Sequence, residues 1–487
     1  MEMAVAHQRT GRSLPVRRYF EHLQRIKHTF AAQTDERFEH TALASLMTDT
    51  AHCGLDNGWN LLETSLFPVS GRPNSFQTLA QRAHCELADT LVALQEEQAT
   101  VLNVSQHPAC AIDAQWYGRV VAPHPIYFEL RGHRGWHHWH GIDAKAQNGA
   151  NTSMPVGQIV QGLNGLLALS AAFIALFANS PLSGGLRTGF KEHRMTIWPR
   201  VFGPARFRGD LTLATYPARP FRDLADFFNW MFGPGTVSRG LPLNPAQGYK
   251  TADVVILSGH PCLRDFLQQQ AWPAYRLGSR SRVMLEPRTE HFVYSQIGQF
   301  LDARIRYKLK TVPELQELMQ AWSQEGELEA LFERCGADMY LEARSPGANF
   351  ADAVLLSRAG ASVASTVLMA PLALQAGLLS SLDQVGELIR EWGWAQLGAM
   401  RHDAMRQALD DDSVRRLCQQ VVQVAHDGLL PQERQWLAYT RYVLESRCTG
   451  ADRLLETWNT TAGDESARLE RLCVRHAALH PQEYAAL

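Results

Sequence analysis

Tyr340-Leu341-Glu342-Ala343-Arg344 sets a carboxylate and a guanidinium two residues apart behind an apolar pair. On a strand, side chains alternate between faces, so Glu342 and Arg344 would share one. An anion beside a cation suits a magnesium–nucleotide, the carboxylate taking metal and the guanidinium taking phosphate oxygens. The same spacing also fits a solvated surface ion pair, which contributes little.

Three other segments carry chemistry. Glu63 lies in Asn60-Leu61-Leu62-Glu63-Thr64-Ser65-Leu66, where an acid within an apolar strand either faces out or needs a partner or metal. The run Arg131-Gly132-His133-Arg134-Gly135-Trp136-His137-His138-Trp139-His140 concentrates histidines. Read as a strand, it puts His138 and His140 on one face with Trp136, and His137 and Trp139 on the other. Same-face histidines are common metal ligands, but there is no HExxH and no third ligand at metal spacing, so a zinc hydrolase ranks last. Asn179-Ser180-Pro181 leads into a Gly-rich turn carrying Arg187, Lys191 and Arg194, which can approach an anion or can be a basic surface loop. It lacks the Gly-Lys-Ser/Thr ending of a P-loop, and the chain has no GxSxG elbow or dinucleotide fingerprint.

The elements that must position these residues follow from pattern. Val16 to Phe30 and Phe76 to Glu97 have helical spacing. Leu61 to Phe67, Val101 to Val104, Ile126 to Leu130, Trp136 to Ile142, Val254 to Leu257, Val283 to Glu286 and Met339 to Glu342 read as strands. Leu163 to Ala178 is apolar throughout, yet shorter than the roughly 20 residues that span a bilayer, so a buried helix is expected. Beyond Asn349 the pattern is mostly helical, with Pro371 expected to stop one helix over Ala351 to Ala370. The expected organisation is an N-terminal arm and helix over 1–50, an α+β catalytic core over 51–348, and a helical part over 349–487.

Composition narrows the field. The 487 residues are 45% hydrophobic and 20% charged with a net charge of −2, so no basic field calls for nucleic acid. The eight cysteines have no CxxC pair, and the first residues are too polar for a signal peptide, so a cytoplasmic protein with reduced thiols is expected.

Taken in order, these segments give a resemblance. The chain resembles the second type of glutamate–cysteine ligase and the related carboxylate–amine ligases. Asn60 to Thr64 is similar to the family's Gln-x-Glu strand, Trp136 to Ile142 to its His-containing strand, and Asn179 to Arg194 with Trp198 to its Asn-Ser-Pro and Ser-x-Arg segment. Tyr340 to Arg344 matches its Tyr-Leu-Glu-x-Arg strand, and Thr449 to Glu456 its closing helices. The resemblance spans residues 55 to 460. Two departures stand out. Glu192-His193-Arg194 replaces Ser-x-Arg, and the family's opening Gly-x-Glu-x-Glu strand finds its nearest candidate at Phe38-Glu39-His40-Thr41, with Glu36 nearby.

The resemblance implies an α+β, glutamine-synthetase-like fold whose antiparallel sheet forms the active site, flanked by helices. It implies ATP and Mg²⁺ as cofactors, and as substrates a small carboxylate, glutamate, and an amine joined through an acyl phosphate; no nucleic acid or membrane is implied. Glu63, Glu342 and His138 or His137 would bind metal. Arg344 and Arg194 would act on the transferred phosphoryl and carboxylate oxygens, with Lys191 and Asn179 at the nucleotide. A catalytically lapsed relative that only binds ligand is the alternative, because the opening acidic strand is missing.

Overall fold

The computed structural model describes residues 1–35, 42–70, 74–122, 124–244 and 254–485. The chain is mixed α+β with antiparallel sheets and no closed barrel among these residues.

The N-terminal fifth builds a six-stranded sheet from β1 (Glu2–His7), β2 (Thr29–Asp35), β3 (Ala42–Thr48), β4 (Ala51–Leu55), β5 (Leu61–Leu66) and β6 (Ala99–Val101). Its order is β2-β3-β4-β5-β1-β6, so β1 lies inside the sheet. Met3, Ala4, Val5 and Ala6 are all buried, which is why β1 shows no alternating pattern. The expected arm and helix over 1–50 is therefore corrected: β1, β2 and β3 belong to it, and the helix is shorter, Tyr19–Ile26. The Phe38 to Thr41 segment and Glu36 lie outside the described residues.

A second sheet holds the residues of the opening motif. It joins β7 (Asn151–Ser153), β14 (Ala303–Lys308) and β15 (Asp338–Ala343) in the order β14-β15-β7, all antiparallel. Between β7 and β14 in the chain come a short hairpin, β8 (Leu182–Ser183) and β9 (Leu186–Arg187), and an outer antiparallel sheet. The outer strands are β10 (Leu241–Pro242), β11 (Val254–Leu257), β12 (Trp272–Arg276) and β13 (Arg282–Leu285).

Alternation sorts the faces of the β14–β15–β7 sheet. Ala303, Ile305, Tyr307, Met339 and Leu341 are buried in the largest core, and Ala343 is buried as well. That face receives the helix Ile159–Ala168, which comes close because Gly162 has no side chain: a Cβ there would stand 2.7 Å from Leu341 Cδ1. The Leu163 to Ala178 run is thus two buried helices, Ile159–Ala168 and Ser170–Leu176, bent by 51°. Among the described residues, no single helix is long and apolar enough to cross a membrane.

Two expected strands are turns instead. Ile126 to Leu130 falls in a helical turn, Pro125–Phe128, running into a π-turn, Glu129–His133. The histidine run is a 3₁₀ turn over His138–His140, bounded by the left-handed residues Gly135 (φ +74°) and Gly141 (φ +99°). Glycine takes such backbone without steric cost, and the chain turns where a strand would continue. Pro371 also acts oppositely to expectation: it sits in the first turn of the helix Ala370–Leu379, where its missing N–H is no loss.

The C-terminal helices clasp the first sheet. Asn103 N–H donates to His476 O, and Ala478 N–H to Val101 O. Gly11, at φ +64°, passes so near the helix Glu465–His476 that a Cβ would meet Leu469 O at 2.5 Å. Beneath, Asp352 Oδ2 accepts from Asn103 Nδ2 at 2.7 Å and pairs with His476 Nδ1 at 2.8 Å.

Candidate active site

The outer face of the β14–β15–β7 sheet forms one wall of a cavity of about 1260 Å³. On β14, Arg304, Arg306 and Lys308 alternate with the buried residues and line this cavity; on β15, Asp338, Tyr340 and Glu342 do the same, followed by Arg344. Register places Arg304 opposite Glu342, Arg306 opposite Tyr340 and Lys308 opposite Asp338. Arg304 Nε lies 2.8 Å from Glu342 Oε2, and Arg344 Nη1 lies 3.2 Å from Glu342 Oε1. Against the upward push of burial, the two guanidinium groups hold the Glu342 carboxyl down to about 2. Glu342 is thus ionised and clamped between cations.

A second wall comes from the first sheet. Glu63 on β5 stands opposite Glu2 on β1, and both line the cavity with Asp56 and Lys145. Glu2 Oε2 accepts from Gln147 N–H at 3.0 Å and lies 3.3 Å from Lys145 Nζ, which reaches Asp56 Oδ2 at 3.0 Å. Burial pushes the Glu2 carboxyl up to about 7; Lys145 opposes the rise, and Asp56 and Glu63 add to it. Burial, more than the neighbouring acids, sets this shift.

The inner end is aromatic. Trp136, Trp198 and Phe300 pack with ring centroids 5.4 Å (Trp136–Phe300) and 5.1 Å (Trp198–Phe300) apart. Arg344 lies 5.9 Å from the Trp198 and Phe300 rings, so this end borders the charged sheet. Trp136 is fixed from behind by its indole N–H, which donates to Asp210 Oδ2 at 2.6 Å, while Arg134 grips Asp210 with both Nε and Nη2. His138 is buried at this end, its Nδ1 3.2 Å from the Tyr117 hydroxyl and its Nε2 without a hydrogen-bond partner. Burial pushes its imidazole down to about 3, so the ring is neutral.

Of the residues singled out by sequence, Glu63, Glu342, Arg344 and His138 line the cavity together. His137 does not; it stacks on Trp139 at 4.0 Å. Arg194 is buried behind the site. Its Nη1 and Nη2 donate to the carbonyls of Arg344 (3.2 Å) and Ser345 (2.7 Å), and its Nε to Glu192. It therefore fixes the backbone that carries Arg344. Asn179 is fully buried, its Nδ2 donating to Asn103 Oδ1 at 2.9 Å and Ala348 O at 2.8 Å. Glu192 accepts from Asn179 N–H and Ser180 Oγ, locking the Asn-Ser-Pro segment to the loop that follows it. Lys191 points to the C-terminal helices, pairing with Asp410 (2.7 Å) and Asp452 (2.8 Å).

The cavity also contains residues that the sequence reading passed over: Glu2, Asp56, Lys145, Arg239 and the β14 row. The row had a signal, the strict apolar–cationic alternation of Ala303-Arg304-Ile305-Arg306-Tyr307-Lys308. Among the described residues, no three His, Cys, Asp or Glu side chains gather as a metal cluster, which leaves the zinc reading without a ligand set. Glu2, Asp56 and Glu63 line the cavity without gathering as such a cluster; Mg²⁺ is normally held by one or two carboxylates plus substrate phosphates and water, so one or two of these acids suffice for it.

A search of curated proteins finds no match to the chain. Residues 121–227 match the family model of glutamate-cysteine ligase family 2, a segment that contains Trp136, His138 and Trp198 but ends before β14 and β15. The resemblance drawn from the motifs is thereby supported on the segment that forms much of the cavity's inner end: it is a glutamate-cysteine ligase family 2 match.

Proposed function

We propose that the chain is an ATP- and Mg²⁺-dependent carboxylate–amine ligase with a glutamine-synthetase-like active site, joining glutamate or a similar acid to an amine through an acyl phosphate. The observation that carries this reading is the same-face row Arg304, Arg306, Lys308 and Arg344 in one cavity with the acids Glu2, Asp56 and Glu63. A nucleoside triphosphate needs cations for its phosphate oxygens and carboxylates for its metal, and phosphoryl transfer is largely positioning and charge neutralisation.

In this reading the polyphosphate lies along the β14 row. Arg304 and Arg344, on either side of Glu342, bring positive charge to the transferred group and the reacting carboxylate. Arg194 keeps Arg344 in place through the carbonyls of residues 344 and 345. Glu63, with at most one of Glu2 and Asp56, would hold Mg²⁺ together with phosphate oxygens and water, and the ion would neutralise phosphate charge when bound. The aromatic end excludes water from the acyl phosphate, favouring the amine over hydrolysis.

ADP release over a panel of carboxylates and amines, with mass spectrometry of products, tests the reading. Glu342→Gln should lower turnover about 30- to 1000-fold, the scale of one lost transition-state contact, with an unchanged circular dichroism spectrum. Full activity in that variant would overturn the role given to the sheet face.

A second reading is a ligand-binding relative without turnover. It is favoured by β1, which offers Glu2 to the site while Ala4, two residues on, carries no carboxylate. Nucleotide binding without ADP release from any substrate pair would select it.

A further inference from the structure

Strand β7 ends the β14–β15–β7 sheet with an unpaired edge, and its residues line the cavity. Met154 N–H donates to Met339 O and Ala343 N–H to Ala150 O, in register with the Leu341–Thr152 pair. Backbone groups alternate between the two sides of a strand, so the N–H and C=O groups of Asn151 and Ser153 point away from β15. Among the described residues, none of these four groups has a hydrogen-bond partner. Asn151 and Ser153 are exposed, so the edge can be reached. It is also held firmly from the core side, where Gln375 Nε2 donates to Thr152 Oγ1 at 2.9 Å and to Leu341 O at 3.1 Å. A fixed, open edge is a template for another extended chain.

The flanks of that edge select the chain that would pair with it. At one end Asn151 stands opposite Glu342, which Arg304 and Arg344 flank with 17% and 11% of their side chains exposed. At the other end, half-buried Leu79 and Leu372 pack on the core that holds Met154, and all three line the cavity. The edge thus runs from an apolar wall to a pair of cations. The cationic row on β14 lies two strand spacings away, about 10 Å, which leaves β7 clear of a polyphosphate bound there. The cavity, about 1260 Å³, also exceeds the roughly 300–1000 Å³ of a site for one drug-sized ligand.

We propose that the acyl substrate is a peptide, laid along β7 as a further strand, with the reacting carboxylate on its C-terminal residue. Main-chain bonds to Asn151 and Ser153 fix its register, Leu79 and Leu372 take apolar side chains upstream, and Arg304 and Arg344 receive the carboxylate. Charge sets the direction: a carboxylate at the Asn151 end meets two guanidinium groups, whereas at the Met154 end it would face apolar side chains. In the ligase reading, on which the word acyl rests, a carboxylate oxygen bonds to the γ-phosphorus of ATP and ADP leaves. A neutral amine nitrogen then bonds to the acyl carbon, the bond from that carbon to the phosphate oxygen breaks, and phosphate departs with one amine proton. The docking edge itself rests on the unpaired backbone groups.

Calorimetric titration tests the edge with four probes: N-acetyl-Leu-Val-Leu-Glu, its two isomers N-methylated at the third or the fourth residue's amide, and free L-glutamate. The parent peptide should bind at least about tenfold more tightly than glutamate. One isomer should bind about tenfold more weakly than the parent and the other close to it, because only alternate amides face the edge. Ser153→Pro removes one edge donor at a position where an edge strand tolerates proline, and should weaken the peptide about 3- to 10-fold while ADP affinity stays unchanged. The isomer pair needs no variant, so it decides even where Ser153→Pro folds poorly. The inference is overturned when the peptide binds no better than glutamate, when both isomers bind alike, or when Ser153→Pro binds the peptide normally. Displacement of the peptide by adenosine alone would overturn it too, by giving the edge to the nucleotide base. Peptide bound as expected, with no ADP released from ATP for any amine, would sink the ligase reading and keep the edge. ADP released with free glutamate and an amine, without peptide binding, would do the reverse.

Discussion

The two ends of the cavity are built by opposite means. The charged wall is a sheet face, where a two-residue period aims Arg304, Arg306, Lys308, Glu342 and Arg344 at the cavity and their neighbours at the core. The aromatic end is made from a π-turn, a 3₁₀ turn, loops and the short helix Ile197–Phe202 that carries Trp198, with no two-residue period, and two of its side chains are aimed by distant partners. Trp136 is held by Asp210, and His138 by Tyr117. A repeating backbone can be decorated one residue at a time. A turn-built pocket depends on a few tertiary bonds, so its failure should be collective.

Breaking the anchor of the aromatic end should give the largest effect. Asp210→Ala leaves Arg134 buried without its ion partner and the Trp136 indole unsatisfied, and should cost about 3–5 kcal/mol of stability in urea unfolding. A cost under 1 kcal/mol would mean that the turn segments hold themselves. On the sheet side the damage should stay local. Arg306→Ala removes one cation from the row and should raise the KM for ATP about tenfold, with little change in melting temperature. A parallel fall in stability would erase the contrast between the two ends.

The smallest effect sharpens the comparison through pH. His107 lies under the turn-built side, its N–H donating to Ala144 O, and burial pushes its imidazole from 6.5 down to about 3. The unfolded chain therefore binds more protons than the folded one between those values, and stability falls as the pH drops through that window. His107→Gln should flatten the decline in melting temperature between pH 7 and pH 5, read as the difference between variant and wild type. An equally steep decline would assign the acid sensitivity elsewhere.

Legibility from sequence divides along the same line. The strand with Glu342 that leads into Arg344, the strand with Glu63, the helix Ser75–Gln95 and the buried apolar run were readable because hydrophobic period maps directly onto burial. The histidine run misled because alternating aromatic and imidazole side chains imitate a strand, while Gly135 and Gly141 turn the chain. Glu2 was hidden for the opposite reason: a strand buried on both faces shows no alternation. Arg194 and Asn179 were legible as important and not as to where they act, since only the folded chain shows Arg194 bonding to the backbone of residues 344 and 345. Arg239 had no signal at all, lying between Ser238 and Gly240 with no period around it.

The position of β1 also bears on how the protein is made. The strand must sit between β5 and β6, and the turn at Gly11 closes against Leu469. At ordinary synthesis rates, that turn waits roughly 20–90 s between leaving the ribosome and meeting its partner. Through that interval an apolar strand such as Met3 to Ala6 is exposed to wrong pairings, so the nascent chain should depend on chaperones to a degree that the finished protein's stability would not reveal.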